Sequence, residues 1–243
     1  MVVSTRRALV TGALGGIGGA VVEELERLGM SVVGLDVTAQ DSPPVLACDV
    51  SDAGFVHEAV THAVTLLDGL DVVVNVVGIS GRRLGDGPVD QCTEDAWDTV
   101  MATNVRSVFL VCRAAIPYLS AGASIVNVTS VLGLQGDASG FFETHAYAAS
   151  KGAIVSLTRA MAGTYAGRGI RVNAVAPGLV VTPMSTRAQS DPEVMAYVRA
   201  RQPLTGSTLT AAHVAGAVGY LASSASEAVT GVVLPVDGGW TAT

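Results

Sequence analysis

The chain has 243 residues, 14 Lys and Arg against 21 Asp and Glu, and a formal net charge of -7. That length suits one large core, and the acidic balance excludes a nucleic-acid face built from clustered Lys and Arg. Hydrophobic residues make up 49% and charged residues 14%, but Pro, Gly, Asn, Ser, Thr or His interrupt the longest uncharged runs, 114–136 and 205–226, so no membrane span is expected.

A parallel sheet covered on both faces accounts for such hydropathy, because its strands read as unbroken aliphatic runs. Residues 1–10 carry no long apolar core followed by a small-residue cleavage site, so a cytoplasmic protein is expected. Cys48, Cys92 and Cys112 are odd in number and far apart, which fits free thiols rather than a disulfide framework or a zinc site, and no metal is expected. The adjacent pairs Arg6-Arg7 and Arg82-Arg83 read as solvated surface charge.

In chain order, a strand over 7–11 runs into Gly12-Ala13-Leu14-Gly15-Gly16-Ile17-Gly18 and a helix over 17–28, with Gly29 closing it. Glycines there permit a tight turn, approach of backbone to a pyrophosphate and close helix packing, while the helix N-terminus presents free N–H groups and a positive dipole end. A second strand over 31–36 ends in Asp36, eighteen positions after Gly18, where a carboxylate can accept from the adenosine ribose hydroxyls and repel a 2′-phosphate. No basic residue stands in the turn or at Val37, which favours NAD over NADP. The alternative for Asp36 is a surface carboxylate closing a strand.

Strands follow over 44–48 and 71–75, around a helix over 52–67 that Asp52 can cap. A helix over 95–119 leads to a strand over 123–129 that delivers Ser130 to its carboxyl end. The helix over 146–166 opens with Tyr147-Ala148-Ala149-Ser150-Lys151, whose i, i+4 spacing puts phenol and ammonium on one face. A neighbouring cation favours the phenolate, so the pair can serve as a base near neutral pH. A strand over 170–175, helices over 191–200 and 211–222, and a strand over 232–236 complete the pattern. Thr210 can cap the last helix. The alternation predicts an α/β fold: a Rossmann-type doubly wound parallel sheet of about seven strands with helices on both faces, in a single domain over 1–243. Ligands in that architecture sit beyond the carboxyl ends of the strands.

Taken in this order, the motifs resemble the short-chain dehydrogenase/reductase family, of the classical subtype. The matches are Thr11-Gly12 through Gly18, Asp49-Val50, Asn75 through Gly78, Asn104, Ser130, Tyr147, Lys151, Pro177-Gly178 with Thr182, and Asp237-Gly238-Gly239; they span essentially the whole chain. The resemblance implies Tyr147 as acid/base, Ser130 holding the substrate oxygen, and Lys151 binding the nicotinamide ribose while lowering the tyrosine pKa. It implies that Asn104 kinks its helix so that a water joins the lysine to a proton path. It also implies cofactor contacts from Gly12, Gly16, Ile17, Gly18, Asp36, Asp49, Val50, Asn75, Gly78, Tyr147, Lys151, Pro177, Gly178, Val180 and Thr182. Of these, Asp49 and Val50 would meet the adenine, Asn75 and Gly78 would line the cleft, and Val180 and Thr182 would grip the carboxamide.

On that resemblance the cofactor half covers about 1–120, the catalytic and substrate-binding half about 121–243, and a lid about 180–204. The family pattern has Asn-Asn-Ala-Gly where this chain has Asn75-Val76-Val77-Gly78, a change that removes one amide from the sheet. The segment 131–146 between Ser130 and Tyr147 is longer than the family's, and reads as an extra loop at the active-site mouth. His145 within it is a second acid/base candidate, or merely a solvated loop histidine.

The expected function is an NAD-dependent oxidoreductase interconverting a secondary alcohol and a ketone. Its partner is a small molecule, apolar if Leu132, Leu134, Phe141, Phe142 and the lid line a pocket rather than pack the lid down. Two alternatives stay open: an NADPH-dependent reductase of carrier-bound 3-oxoacyl chains, and a catalytically silent dinucleotide-binding protein. A homotetramer is implied by the resemblance alone, with neither nucleic acid nor membrane as partner.

Overall fold

Seven strands, all parallel, form one sheet in the order β3-β2-β1-β4-β5-β6-β7. They are β1 (Arg7–Thr11), β2 (Ser31–Asp36), β3 (Val45–Ala47), β4 (Leu70–Asn75), β5 (Leu119–Val128), β6 (Arg171–Pro177) and β7 (Val233–Val236). These come from a computed structural model, which describes residues 5–41 and 43–242. The expected domain ends at 1–4 and 243 lie outside the described residues.

Alternation along the strands sorts their side chains into two cores. Leu9, Val33, Leu35, Val73 and Ile125 face one layer, covered by α2 (Ala53–Leu67), α4 (Ser107–Ala115) and α5 (His145–Tyr165). Ala8, Val10, Val32, Val72, Val74 and Val126 face the other, covered by α1 (Gly16–Arg27) and α8 (Ala211–Ala222). Burial on both faces explains why the strands are aliphatic throughout rather than half polar. The sheet runs 3-2-1-4-5-6-7, so its order reverses between β1 and β4, which opens a crevice at their carboxyl ends.

The helix expected over 95–119 is broken. It consists of α3 (Glu94–Met101), a π-turn at Ala102–Arg106 closed by Ser107 N–H to Ala102 O, then α4 and a 3₁₀ turn at Ile116–Tyr118. The run Glu94–Tyr118 has the length and hydropathy of a membrane span, but Val100, Asn104, Val108, Val111, Cys112 and Ala115 are buried against the protein. Two short helices, α6 (Thr186–Ser190) and α7 (Pro192–Arg201), occupy the expected lid, and α6 was not anticipated.

Neither basic pair is simply solvated. Arg7 forms a two-pronged pair with Asp71, Nε to Oδ2 at 2.8 Å and Nη2 to Oδ1 at 3.0 Å, joining β1 to β4. Arg82 is half-buried and donates to Phe141 O at 3.1 Å.

Candidate active site

At the carboxyl end of β1 the chain turns through Gly12, whose φ of +68° is in the left-handed region that only glycine adopts freely, and enters α1. Contact is tightest at Gly18, where a Cβ would stand 1.9 Å from Gly12 O, so the helix packs onto the turn only because no side chain intervenes. The N-terminus of α1 has no side-chain cap, leaving its amides directed at the crevice, the arrangement that receives a phosphate. Thr182 lies against Gly16, its Cγ2 3.1 Å from where a Cβ would be. Asp36 closes β2 and accepts from Leu14 N at 3.0 Å and Val37 N at 2.8 Å, so the carboxylate stands at the glycine turn itself. An uncapped helix end, a glycine-rich turn and a carboxylate beside it fit a dinucleotide.

The other expected cofactor contacts divide. Asp49 is exposed and accepts from Ser51 N and Oγ, bonds that hold its carboxyl below the ordinary aspartate range, while Val50 is buried. Asn75 does not line the cleft. It is buried between β4 and β5, donating to Asn127 Oδ1 at 2.8 Å and Cys112 Sγ at 3.4 Å, because strand alternation turns its side chain into the first core. Val76 and Val77 are held by the Thr11 hydroxyl, which accepts from both backbone amides. Gly178 N donates to Val236 O at the end of β6, following Pro177. The Val180 side chain is buried and its carbonyl already accepts from Ser185 Oγ at 2.6 Å. Thr182 caps the 3₁₀ turn Pro183–Ser185 through a reciprocal capping box.

Two crossovers, β4 to β5 and β5 to β6, bring Asn104, Ser130, Tyr147 and Lys151 together. Ser130 follows β5 and is nearly buried; its hydroxyl accepts from Leu132 N at 3.2 Å and acts on the Tyr147 phenol, drawing its pKa down against burial. Lys151, one turn along α5, is buried, with Nζ donating to Val128 O at 2.9 Å and standing 5.6 Å from the Tyr147 ring centre. Asn104 sits in the π-turn, which widens the helix enough for its side chain to accept from Ile79 N at 2.8 Å and donate to Ile79 O at 3.0 Å. The same amide donates to Ser150 Oγ at 2.9 Å, and that hydroxyl donates to Tyr147 O at 2.7 Å. Gly78 separates Asn104 from Lys151: a Cβ there would lie 3.1 Å from Lys151 Nζ and 3.4 Å from Asn104 Oδ1.

Burial sets the electrostatics. It pulls Lys151 down to about 8, so the ammonium is half discharged near that pH. It also pushes the Tyr147 phenol above its ordinary value, with the Ser130 hydrogen bond opposing.

Nothing in the local sequence marked Asp86. Its carboxylate is buried and accepts from Ala146 N and Tyr147 N, both at 2.9 Å, so it caps α5 from a distant segment while the residue at the helix boundary, Thr144, supplies no side-chain cap. His145 reinforces the clamp: its N–H donates to Gly87 O at 3.1 Å and its Nδ1 accepts from Val89 N at 3.0 Å, which makes it an anchor of the helix start. A helix start lacking a local cap was the one available clue. Gln202 was also missed; fully buried, it accepts from Leu179 N at 2.6 Å and donates to Ser207 O at 2.8 Å, pinning the turn after β6 to the end of α7. The 131–146 segment packs on the lid through Phe141, Phe142, Tyr197 and Trp240, and Tyr197 donates to Asp137 Oδ2 at 2.7 Å.

Known proteins resemble the chain over nearly its full length. A family model described as enoyl-(acyl carrier protein) reductase matches residues 12–241. The 2-(R)-hydroxypropyl-CoM dehydrogenase of Xanthobacter autotrophicus is 38% identical, with 98% of this chain and 99% of that protein aligned. The cis-4-hydroxycyclohexanecarboxylate dehydrogenase of Sinomonas cyclohexanicum is also 38% identical, over 98% and 97%. The solved structure of ElxO with NADP bound superposes with a TM-score of 0.86 at 26% identity, covering 98% of this chain and 100% of that one.

Asp86→Ala leaves two buried amides without an acceptor and is expected to cost about 2 kcal/mol, and Asp86→Asn, which keeps one acceptor oxygen, about half; denaturant melts measure both. Lys151→Met is expected to stabilise the fold at pH 7 by about 1–2 kcal/mol, since removing a disfavoured buried charge outweighs one lost hydrogen bond. The sign follows from a folded pKa of about 8 against 10.5 unfolded: folding releases a proton between those values, so the wild-type penalty shrinks as pH rises through that window. Melting temperatures at pH 7 and pH 10 should therefore converge for the two proteins.

Proposed function

The chain belongs to the short-chain dehydrogenase/reductase family, and from that premise we propose that this oxidoreductase uses NAD to interconvert a secondary alcohol and a ketone, with Tyr147 as acid/base. The observation that carries this reading is Tyr147 with the Lys151 ammonium 5.6 Å from its ring and the Ser130 hydroxyl acting on its phenol, beyond the carboxyl end of the same sheet that the glycine turn leaves. Two adjacent hydroxyls can hold one substrate oxygen, Ser130 by donating and Tyr147 by exchanging a proton with it.

In the oxidative direction the carbinol hydroxyl gives its proton to Tyr147 Oη while the carbinol hydrogen leaves as hydride for the nicotinamide, which is the acceptor that the cofactor supplies. Lys151, anchored on Val128 O, is the residue that would hold the nicotinamide ribose, and its charge would favour the phenolate. Asn104 holds Ile79 and Ser150, and through them the start of α5, so that Tyr147 stays in place. Ser130 keeps the substrate oxygen within reach of the phenol. In the reductive direction the same groups return the proton to the ketone oxygen.

NAD is favoured over NADP by Asp36, whose carboxylate would face a 2′-phosphate with no cation beside it in the turn. Gly12, Gly16, Ile17 and Gly18 hold the pyrophosphate in this reading, Asp49 and Val50 the adenine, and Gly178, Val180 and Thr182 the nicotinamide side by their backbone and the Thr182 hydroxyl. An NADPH-dependent reductase of carrier-bound 3-oxoacyl chains remains the second reading because a 35% identical relative from Thermotoga maritima is a 3-oxoacyl-(acyl-carrier-protein) reductase. The substrate is a small alcohol or ketone: Leu132, Leu134 and Phe142, which can take an apolar body, border a cavity of about 370 Å³ that Gln135, Asp137, Glu143 and His145 also line. Residues 180–204, with α6 and α7, form the lid. The exposed Trp97, Phe109 and Tyr118 along Glu94–Tyr118 support a homotetramer.

Tyr147→Phe is expected to reduce turnover at least 10³-fold while leaving the dissociation constant for NAD within a few-fold in a fluorescence titration; near-normal turnover rejects the assignment. In the same titration NAD should bind more tightly than NADP, and Asp36→Arg should reverse that order. Light scattering should give the mass of four chains, and a mass of one chain removes the tetramer.

A further inference from the structure

Arg82, in the turn after β4, and Arg187, on α6 of the lid, converge on one atom. Each donates from Nη2 to Phe141 O, at 3.1 Å and 3.0 Å. Guanidinium groups repel at that spacing, and each has five N–H donors, most of which a single carbonyl leaves unused. Among the described residues neither arginine has a carboxylate within salt-bridge distance. The carboxylates nearby are engaged or distant: Asp86 is taken by Ala146 N and Tyr147 N, Asp137 by Ser139 and Tyr197, and Glu143 acts on Arg82 only through space. Burial and the Arg187 charge lower the Arg82 pKa, while the Asp86 and Glu143 carboxylates act the other way through space.

Their placement is at the active-site mouth. Arg82 shares its turn with Asp86, which binds the amide of Tyr147; Phe141 lies on the segment leading into Tyr147; Arg187 follows Thr182, which rests on the glycine turn. We propose that Arg82 and Arg187 form a clamp for an oxyanion carried by the substrate, a carboxylate or a sulfonate, at the end remote from its carbinol carbon. The clamp rests on the dehydrogenase reading above and deepens it: an apolar body lies along Leu132, Leu134 and Phe142 while the anionic end ties the lid to the 82–86 turn. An anion there neutralises both cations and fills donors that Phe141 O leaves free, so the lid closes most favourably over a charged substrate.

The test compares 4-hydroxycyclohexanecarboxylate, a hydroxyalkylsulfonate, and the neutral methyl ester of the former, with NAD, for the wild-type protein, Arg82→Gln and Arg187→Gln. Glutamine keeps one N–H donor for Phe141 O, so the comparison isolates charge from loop anchoring. The wild-type protein should favour an anionic substrate over the ester in kcat/KM by 10-fold or more, and each variant should cut that ratio about 10-fold, mainly through KM, with high salt acting in the same direction. Which of the two anions gains more identifies the headgroup. A ratio near one, or variants that leave it unchanged, overturns the clamp while oxidation of the ester keeps the dehydrogenase reading intact. A measurement without turnover covers failure of that reading: cyclohexanecarboxylate at millimolar concentration should raise the melting temperature of the wild-type protein and of neither variant, and an equal shift in all three, or none, rejects the clamp.

Discussion

Seven strands running in one direction leave every crossover to a segment that must return across a face of the sheet, so both faces are covered and only the two strand ends stay open. The carboxyl end is where the loops carrying side-chain chemistry emerge. From this constraint follows the convergence of residues far apart in sequence: Gly12 after β1, Asp36 at the end of β2, Gly78 after β4, Ser130 after β5 and Gly178 after β6 all lie at one edge of the sheet. The opposite edge is closed by polar ties such as the two-pronged Arg7–Asp71 pair between β1 and β4.

Within that edge the position of α5 is decisive, because it carries both Tyr147 and Lys151. Its start is held from outside, by the Asp86 carboxylate and the Gly87 carbonyl, and its first turn is tied through Ser150 to Asn104. The π-turn is what lets Asn104 do this, since an unbroken helix would direct that side chain elsewhere. The lid is held in turn by Gln202 at one end and by the ring cluster of Phe141, Phe142, Tyr197 and Trp240 at the other. The helix α5, the 82–86 turn and residues 180–204 therefore form one connected assembly.

Burial and charge compete in the same few ångströms. A lysine held inside the protein on one carbonyl sits at about 8, and the phenol beside it is pushed upward. Both shifts disfavour the charged forms, so the protein holds an unfavourable arrangement at the place of the proposed proton transfer. At the mouth, two guanidinium groups share one carbonyl, a second concentration of like charge that the packed lid holds in place.

Much was legible from the amino-acid order. Aliphatic strands, the glycine turn, Asp36 at the end of β2 and the Tyr147–Lys151 spacing each express a local rule, a period of two or of 3.6 or a backbone that tolerates no side chain, and such rules act over a few residues. What only the tertiary structure decided depends on contacts between distant segments. Asn75 turned inward because of its register in β4, the 95–119 helix broke at Asn104 to meet Ile79, Asp86 became the cap of a helix sixty positions away, and Arg82 left solvent for Phe141. No local pattern encodes these, since each gains its energy only when the sheet has already brought the two partners together.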